Sequence, residues 1–361
     1  LRRIFFWDLV MNRKENWEPN SIESRDLKYH LHPYTKPSQL DESGPHIISS
    51  GQGIYVTDND NKQFIEGMSG LWCASLGFNE TELIKVATKQ MKELPFYHSF
   101  TGKTVGPAVD LAEKLISISP NAMEKVFFCN SGSEANDTAI KMIWYYQASL
   151  GRPEKRKIIS RKRGYHGVTI AAASLTALPY AQDGFGLPLN FAKHTSSPHY
   201  FADAYDQESE MDFVKRIISE LEELIESEGA DTIGALIAEP VMGAGGVIIP
   251  PMGYFEALQN VLKKHSILLI ADEVICGFGR TGNMWGSQTY DLRPDIVTCA
   301  KALSSSYLPI SAVLVSSEIV KGIEGQAEKL GIFGHGYTYS AHPVSAAVAL
   351  RTLELMEEKN I

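Results

Sequence analysis

The chain has 361 residues, a length that predicts two or three lobes around a large buried interior. Hydrophobic residues make up 44% of the chain, charged residues 21%, and 17 residues are proline, which excludes collagen-like, low-complexity and disordered proteins. The net charge of −9 excludes the electrostatic pattern of nucleic-acid or anionic-membrane binding, and it favours small molecules or another subunit as partners.

The first 66 residues are polar and rich in turn residues, and we expect residues 1–66 to form the N-terminal part of a small domain. A β-hairpin is predicted where residues 53–56 and 63–65 flank the turn cluster 58–61.

From residue 67 to residue 330, helical periods alternate with short, fully apolar runs. This pattern is typical of a mostly parallel sheet covered by helices on both faces, so we predict an α/β fold with a large domain over 67–330. The predicted strands are 125–129, 157–160, 232–238, 267–271, 295–299 and 312–316, and the predicted helices are 80–93, 107–118, 134–149, 210–228 and 253–264.

Residues 331–361 are expected to form an interface segment and a helix over 343–360. The apolar stripe of that helix runs to Ile361 without a terminating residue. We therefore expect the helix to lead into a further C-terminal segment that completes the small domain.

Four cysteines lie far apart, which predicts neither a disulfide framework nor a metal site and favours the cytoplasm: Cys73, Cys129, Cys276 and Cys299. No apolar run approaches the roughly 18 residues of a membrane span. Asp8 interrupts the apolar opening residues before a signal-peptide core could form, and residues 1–10 are interpreted as upstream translation before Met11.

The ends of two predicted strands carry motifs that fit ligand binding. Strand 125–129 runs into Asn-Ser-Gly-Ser-Glu-Ala-Asn at 130–136, where unpaired amides at a helix start can bind phosphate, although Ser and Asn are also ordinary helix caps. Strand 157–160 leads to Gly-Tyr-His-Gly at 164–167, where a flat ring could cover a flat cofactor or form a buried packing pair.

Three ionisable residues follow three consecutive buried strands: Glu239, Asp272 and Lys301. Taken alone, Asp272 would be interpreted as a helix cap or a metal ligand, and Lys301 as a surface residue. Charged groups beside buried apolar strands need partners, however, so the three residues are interpreted together. A lysine amine near an acid, with a phosphate cradle and an aromatic lid, matches what pyridoxal phosphate (PLP) requires.

Four motifs, in their order along the chain, resemble those of the class III (omega-type) aminotransferases of PLP fold type I. They are the motifs at 130–136 and 164–167, Asp-Glu-Val at 272–274 and Ala-Lys-Ala at 300–302. The resemblance covers the chain from about residue 17. It implies that Lys301 binds PLP covalently and that Asp272 pairs with the pyridinium nitrogen.

The same resemblance assigns the rest of the cofactor site. Val274 would pack on one face of the ring and Tyr165 on the other, with His166 beside it and Glu239 behind the ring. The phosphate would be held by Ser131, Gly132 and Ser133, joined across a homodimer interface by Thr338, so that each active site is composite.

The resemblance implies a ping-pong transfer of an amino group from a donor to a keto acid. Once the substrate amine has displaced Lys301, this residue can act as the general base, because burial and a nearby cation lower the pKa of a lysine. An aminomutase or decarboxylase of the same fold, and a catalytically silent PLP-fold protein, stay open as alternatives.

The substrate pocket is predicted from aromatic and apolar residues, namely Leu71, Trp72, Phe100 and Tyr165. They favour primary amines or ω-amino acids with pyruvate as acceptor, although plain core packing also explains Trp72. The resemblance places a carboxylate-binding arginine beyond Ile361, and the identity of donor and acceptor is left open.

Overall fold

A computed structural model describes residues 17–361, so residues 1–10 and the predicted absence of a signal peptide lie outside the described part. The chain divides into two compact units, one that ends at Gly67 and one that spans Met68–Ile361.

The first unit contains a three-stranded antiparallel sheet. The predicted hairpin is confirmed, and the Asp58 carboxylate accepts hydrogen bonds from the backbone N–H groups of Asp60 and Lys62 in its turn. Its elements are helices α1 (Ile22–Tyr29) and α2 (Pro37–Ser43) and strands β1 (Ile48–Gln52), β2 (Tyr55–Asp58) and β3 (Gln63–Ile65).

A small polar cluster follows α1. Asp26 lies within hydrogen-bond distance of two imidazoles, His30 Nδ1 at 3.0 Å and His32 Nε2 at 2.6 Å. A carboxylate only accepts, so both rings donate to it, and these hydrogen bonds account for the proximity of the three side chains.

The second unit is built on a seven-stranded sheet in the order β4-β10-β9-β8-β7-β5-β6, in which β10 alone runs antiparallel to its neighbours. The predicted mostly parallel sheet is confirmed. Its strands are β4 (Met123–Cys129), β5 (Lys157–Arg161), β6 (Ala192–Thr195), β7 (Ile233–Ala238), β8 (Leu268–Asp272), β9 (Ile296–Cys299) and β10 (Ser311–Ser316).

Helices connect these strands, and the six helices predicted in this unit are confirmed to within a few residues at each end. Short 3₁₀ segments cover Ala230–Thr232 and Lys301–Ser304. The helices are α3 (Ser69–Trp72), α4 (Thr81–Glu93), α5 (Gly106–Ser117), α6 (Gly132–Ser149), α7 (Ile170–Leu175), α8 (Pro179–Gln182), α9 (Tyr200–Asp203), α10 (Glu210–Glu228), α11 (Tyr254–Lys264), α12 (Gly286–Thr289), α13 (Ser317–Leu330) and α14 (Pro343–Glu358).

The sheet is buried on both faces, as the alternation along β10 shows. Ala312 and Leu314 pack into a core cluster with α5 and α14, whereas Val313 and Val315 pack into the opposite cluster with α6 and α13. Because both faces are covered, polar groups of this sheet can reach solvent and ligands only at the strand ends. In the part of the chain that the structure describes, no helix is long and apolar enough to cross a membrane.

Candidate active site

The carboxyl ends of the central strands open into one pocket of about 370 Å³, within the size range of small-molecule sites. In an α/β sheet this edge is where ligands bind, because the chain turns away from several strands at once. The predicted residues that line it are Ser131, Gly132, Ser133, Tyr165, His166, Glu239, Asp272, Val274 and Lys301.

Asp272 ends β8 and is buried, with three hydrogen-bond donors on its carboxylate. The Nδ2 of Asn136 donates to Oδ2 at 2.8 Å, and the N–H of Val274 donates to Oδ1 at 3.1 Å. His166 Nδ1 also lies 2.8 Å from Oδ2, and because the carboxylate only accepts, Nδ1 carries the proton. These contacts fix the carboxylate in a water-poor site.

Lys301 follows β9 and begins a short 3₁₀ segment in the left-handed region, with φ of 50°. A non-glycine residue in this region is strained, and such strain is concentrated at functional sites. Burial lowers the pKa of the Lys301 amine, an effect that the negative charge of Asp272 opposes. The amine therefore loses its proton more readily than a surface lysine does.

The segment 131–133 opens α6, an 18-residue helix. Ser131 caps it by accepting a hydrogen bond from the Glu134 N–H at 3.2 Å, so the capping interpretation is correct. The first amides of a helix have no intrahelical partner, and together with the helix dipole they attract an anion. Capping and phosphate binding are therefore compatible here, because the cap engages Glu134 and leaves the Gly132 and Ser133 amides at the pocket.

Two glycines allow the walls of the pocket to approach each other closely. A Cβ at Gly132 would lie 3.0 Å from a methyl carbon of Val274. Gly167 has φ of +129°, and a Cβ there would lie 2.4 Å from the hydroxyl oxygen of Ser133. The Gly-Tyr-His-Gly loop therefore needs its second glycine to close against the start of α6.

Glu239 directly follows β7 and joins two loops. Its carboxylate accepts hydrogen bonds from the N–H of Tyr165 at 3.1 Å and the N–H of Gly243 at 2.9 Å. Burial raises the pKa of Glu239, while His166 and the Arg161 guanidinium oppose that rise. Arg161, fully buried at the end of β5, donates through Nη2 to the Glu239 carbonyl oxygen at 2.5 Å.

The comparisons with known proteins agree with this geometry. The family model "Aminotransferase class-III" matches residues 39–361. A γ-aminobutyrate transaminase 1 from Oryza sativa subsp. japonica, named as mitochondrial, is 50% identical over 345 residues, which are 95% of this chain and 67% of that protein. The vanillin aminotransferase of Capsicum frutescens is 51% identical over 332 residues, 92% of this chain and 72% of its own.

A crystal structure of the omega transaminase from Pseudomonas jessenii in complex with PMP superposes with a TM-score of 0.93 at 54% identity, covering 94% of this chain and 75% of that one. The chain belongs to the class III aminotransferases. As a member of this family it is a PLP-dependent transaminase of fold type I, which confirms the fold, the enzyme class and the cofactor predicted from the four motifs.

The described residues of this class III aminotransferase fit PLP. The pocket presents one amine, on Lys301, and two buried carboxylates held by hydrogen bonds, on Asp272 and Glu239. A helix start faces the pocket as an anion site, and a Cβ at Gly132 would crowd its wall. Among the described residues, the buried His166 Nε2 has no hydrogen-bond partner, so this polar edge is available to a ligand or water.

Four predicted residues lie elsewhere. Among the described residues that line this pocket, Leu71, Trp72, Phe100 and Thr338 are not found. Leu71 and Trp72 lie in a left-handed turn, Phe100 contacts Gly336, and Thr338 is exposed. Their roles stay predictions.

Sequence reasoning missed three side chains that shape the site: Asn136, Thr298 and Arg161. Asn136 belongs to the motif 130–136 but received no role. The buried position of Arg161 was not predicted, because a basic residue directly after an apolar strand is typical of exposed residues as well.

Replacing Gly167 by alanine tests the close approach of the two loops. Alanine at a positive φ costs about 1–2 kcal/mol, and the clash with Ser133 adds about 1–3 kcal/mol of overpacking. The matched control is Gly246→Ala, since Gly246 has φ of +127° but no heavy atom within 4 Å of the added Cβ. Denaturant unfolding should show a larger loss of unfolding free energy for Gly167→Ala; equal losses would contradict the close approach.

Proposed function

We propose that this chain transfers the amino group of a primary amine or ω-amino acid to a keto acid such as pyruvate, with Lys301 and Asp272 as its catalytic residues. The observation that carries the proposal is the convergence of Lys301, Asp272 and the start of α6 on one pocket. The names of the relatives, a γ-aminobutyrate transaminase, a vanillin aminotransferase and an omega transaminase, support amines and ω-amino acids as donors.

PLP, when bound, supplies the electron-withdrawing ring that stabilises negative charge on the substrate carbon. Lys301 would hold the cofactor covalently and would move the proton at the substrate carbon through its Nζ. Burial favours this second role, because the lowered pKa of Lys301 increases the fraction of free amine near neutral pH.

Asp272 would keep a proton on the ring nitrogen of PLP, since a buried carboxylate stabilises a neighbouring cation. His166 and Asn136 hold the carboxylate from one side, so it cannot rotate away. Val274 and Tyr165 would contact the two faces of the ring. Glu239 would stay behind the ring and orient the Tyr165 loop.

The phosphate of PLP would lie at the start of α6, against Ser131, Gly132 and Ser133. Ser133 also accepts a hydrogen bond from the Val168 N–H at 3.1 Å, which ties this helix start to the Tyr165 loop. Phosphate and ring would therefore be held by loops that contact each other.

We further propose a homodimer in which Thr338 reaches the phosphate of the neighbouring active site. Thr338 is exposed in the single chain. Two aromatic residues close to it are exposed as well: Tyr339, the next residue in the sequence, and Phe100, which lies beside Gly336. Exposed aromatic residues are enriched in the cores of protein interfaces. A two-fold homodimer with composite sites follows from this assignment.

Sedimentation tests the dimer together with Thr338. The holoenzyme should sediment as a dimer, and Thr338→Ala should weaken PLP affinity by roughly 10- to 150-fold, the value of one hydrogen bond to a charged group. Thr281→Ala is the control, at a half-buried threonine whose hydroxyl pairs with the Thr289 hydroxyl at 2.8 Å. A monomer with wild-type PLP affinity would exclude the composite site.

A donor panel tests the substrate class. With pyruvate as acceptor, we expect primary amines and ω-amino acids to be much better donors than aspartate. The second carboxylate of aspartate would lose its solvation in the substrate pocket that, on this proposal, Leu71, Trp72 and Phe100 form beside the residues that line the cavity. Trp72→Gly should change the order of bulky amine donors, whereas Trp144→Phe, in a packing cluster with Phe191, should not. Aspartate as the preferred donor would refute the proposed pocket.

For the compartment, we propose the cytoplasm. The four cysteines are free and buried, which suits a reducing environment. Expression of the complete reading frame with a fluorescent tag tests this, and accumulation of the tagged protein in an organelle would contradict it.

A further inference from the structure

The Asp272 carboxylate is held by side chains from two other elements. His166 reaches it from the loop after β5, and Asn136 reaches it from the first turns of α6. Both donate to the same oxygen, Oδ2, whereas Oδ1 accepts the Val274 N–H. The orientation of the carboxylate therefore depends on the orientation of an imidazole and an amide.

The amide of Asn136 has one orientation that satisfies all its neighbours. Its Nδ2 donates to Asp272 Oδ2 at 2.8 Å and to the carbonyl oxygen of His166 at 2.7 Å. A rotation of 180° about the amide would bring Oδ1 against these two acceptors. Such an arrangement would place an amide oxygen against two acceptors in a buried site and would remove the donor of the His166 carbonyl oxygen, at a cost comparable to losing the hydrogen bonds.

Thr298 fixes this orientation from the opposite side. Its hydroxyl donates to Asn136 Oδ1 at 2.8 Å, and both side chains are fully buried. Thr298 lies on β9 directly beside Asp272 in the β8–β9 register, and its carbonyl oxygen accepts the Glu273 N–H. The hydroxyl is thus carried by the strand that also leads into Lys301.

We propose that Thr298 and Asn136 act as positioning residues that orient the Asp272 carboxylate toward the cofactor. The chain of hydrogen bonds runs from the Thr298 hydroxyl through the Asn136 amide to Asp272 Oδ2, with a second branch to the His166 carbonyl oxygen. This inference rests on the proposed role of Asp272 at the ring nitrogen of PLP. Thr298 is not among the described residues that line the pocket, and Asn136, which does line it, points its amide at Asp272, so both would act through this carboxylate.

The decisive comparison is Thr298→Val against Thr298→Ser. Valine keeps the shape of threonine and removes the hydroxyl, whereas serine keeps the hydroxyl. We expect Thr298→Val to raise the dissociation constant of PLP for the cofactor-free protein about tenfold. We also expect Thr298→Val to shift the pH midpoint of the visible absorption band of bound PLP by about one unit. For Thr298→Ser, the PLP dissociation constant should stay within about twofold of the wild-type value, and the pH midpoint should stay within a few tenths of a unit of it.

An Asp272→Asn background distinguishes the inference from the function on which it rests. If Thr298 acts through Asp272, the effect of Thr298→Val on the PLP dissociation constant should largely disappear in Asp272→Asn. An Asp272→Asn protein with wild-type affinity and midpoint would overturn the role of Asp272 itself. A normal effect of Asp272→Asn with no difference between the valine and serine variants would overturn only the positioning role.

Thermal unfolding separates positioning from plain stability. A Thr298→Val protein that melts lower but keeps the wild-type dissociation constant and midpoint would refute the proposal. Should this variant not fold, Asn136→Ala replaces it, with the same expected loss of affinity and shift of midpoint and the same cycle with Asp272→Asn.

Discussion

Replacement of Lys301 by alanine is expected to lower the rate of amino transfer by roughly 10⁴-fold or more, because general acid–base catalysis by one residue contributes about 10²–10⁴-fold and this lysine also binds the cofactor. Burial lowers the pKa of the Lys301 amine, which favours an amine that reacts near neutral pH. Single-turnover kinetics with PLP-loaded protein and a good amine donor measure the loss.

Lys321→Ala is the control for this variant, since Lys321 is exposed on α13 and is not among the described residues that line the pocket. It should keep wild-type kinetics. A Lys301→Ala protein that retains more than about a tenth of the wild-type single-turnover rate would mean that another group moves the proton.

Asp272→Asn is expected to slow the first half-reaction by roughly 10²–10³-fold, the usual effect of removing one preorganised electrostatic group. Asparagine keeps the shape of the side chain and removes the negative charge that would stabilise the protonated ring nitrogen. It also places an amide against the donors on Asn136 and His166, which adds to the loss. Stopped-flow absorbance of the bound cofactor measures the half-reaction.

The matched control for this carboxylate is Asp295→Asn. Asp295 is half-buried, so it is less buried than Asp272, but its carboxylate likewise accepts a backbone N–H, that of Leu269 at 2.8 Å, and it precedes β9 at the opposite end of the sheet. The control should lose stability without a change in the half-reaction. Equal slowing in both variants would show that the effect is structural.

The elements that the sequence predicts best are those with strong hydrophobic periods. Helix 80–93 corresponds to Thr81–Glu93, and strand 295–299 corresponds to Ile296–Cys299. Strand β1 was missed because Ile48–Gln52 is polar and exposed, and it exists only through pairing with β2. The strand propensity of these residues does not predict a strand, because pairing with β2 decides whether this segment is extended.

Helix α13 was missed for a different reason. It contains Gly322 and Gly325, which weaken a helical pattern. A Cβ at Gly322 would lie 2.4 Å from the ring of Tyr146, so this glycine is needed for close packing of α13 on α6. The sequence shows the loss of propensity but not the packing that compensates for it.

The ionisable residues of the site were predictable because each directly follows an apolar strand, as Glu239, Asp272 and Lys301 do. Their supporting contacts were not. Thr298 and Asn136 are 162 residues apart in the chain, and Arg161 and Glu239 are 78 apart. Such pairs follow from strand order and register, which no local pattern contains.

Borohydride reduction of the holoenzyme followed by peptide mapping tests whether Lys301 carries PLP. We expect the reduced cofactor on the peptide that contains Lys301, and we expect the Lys301→Arg protein to lose this label. The label on a different lysine, or PLP-loaded protein without a visible absorption band, would contradict this expectation.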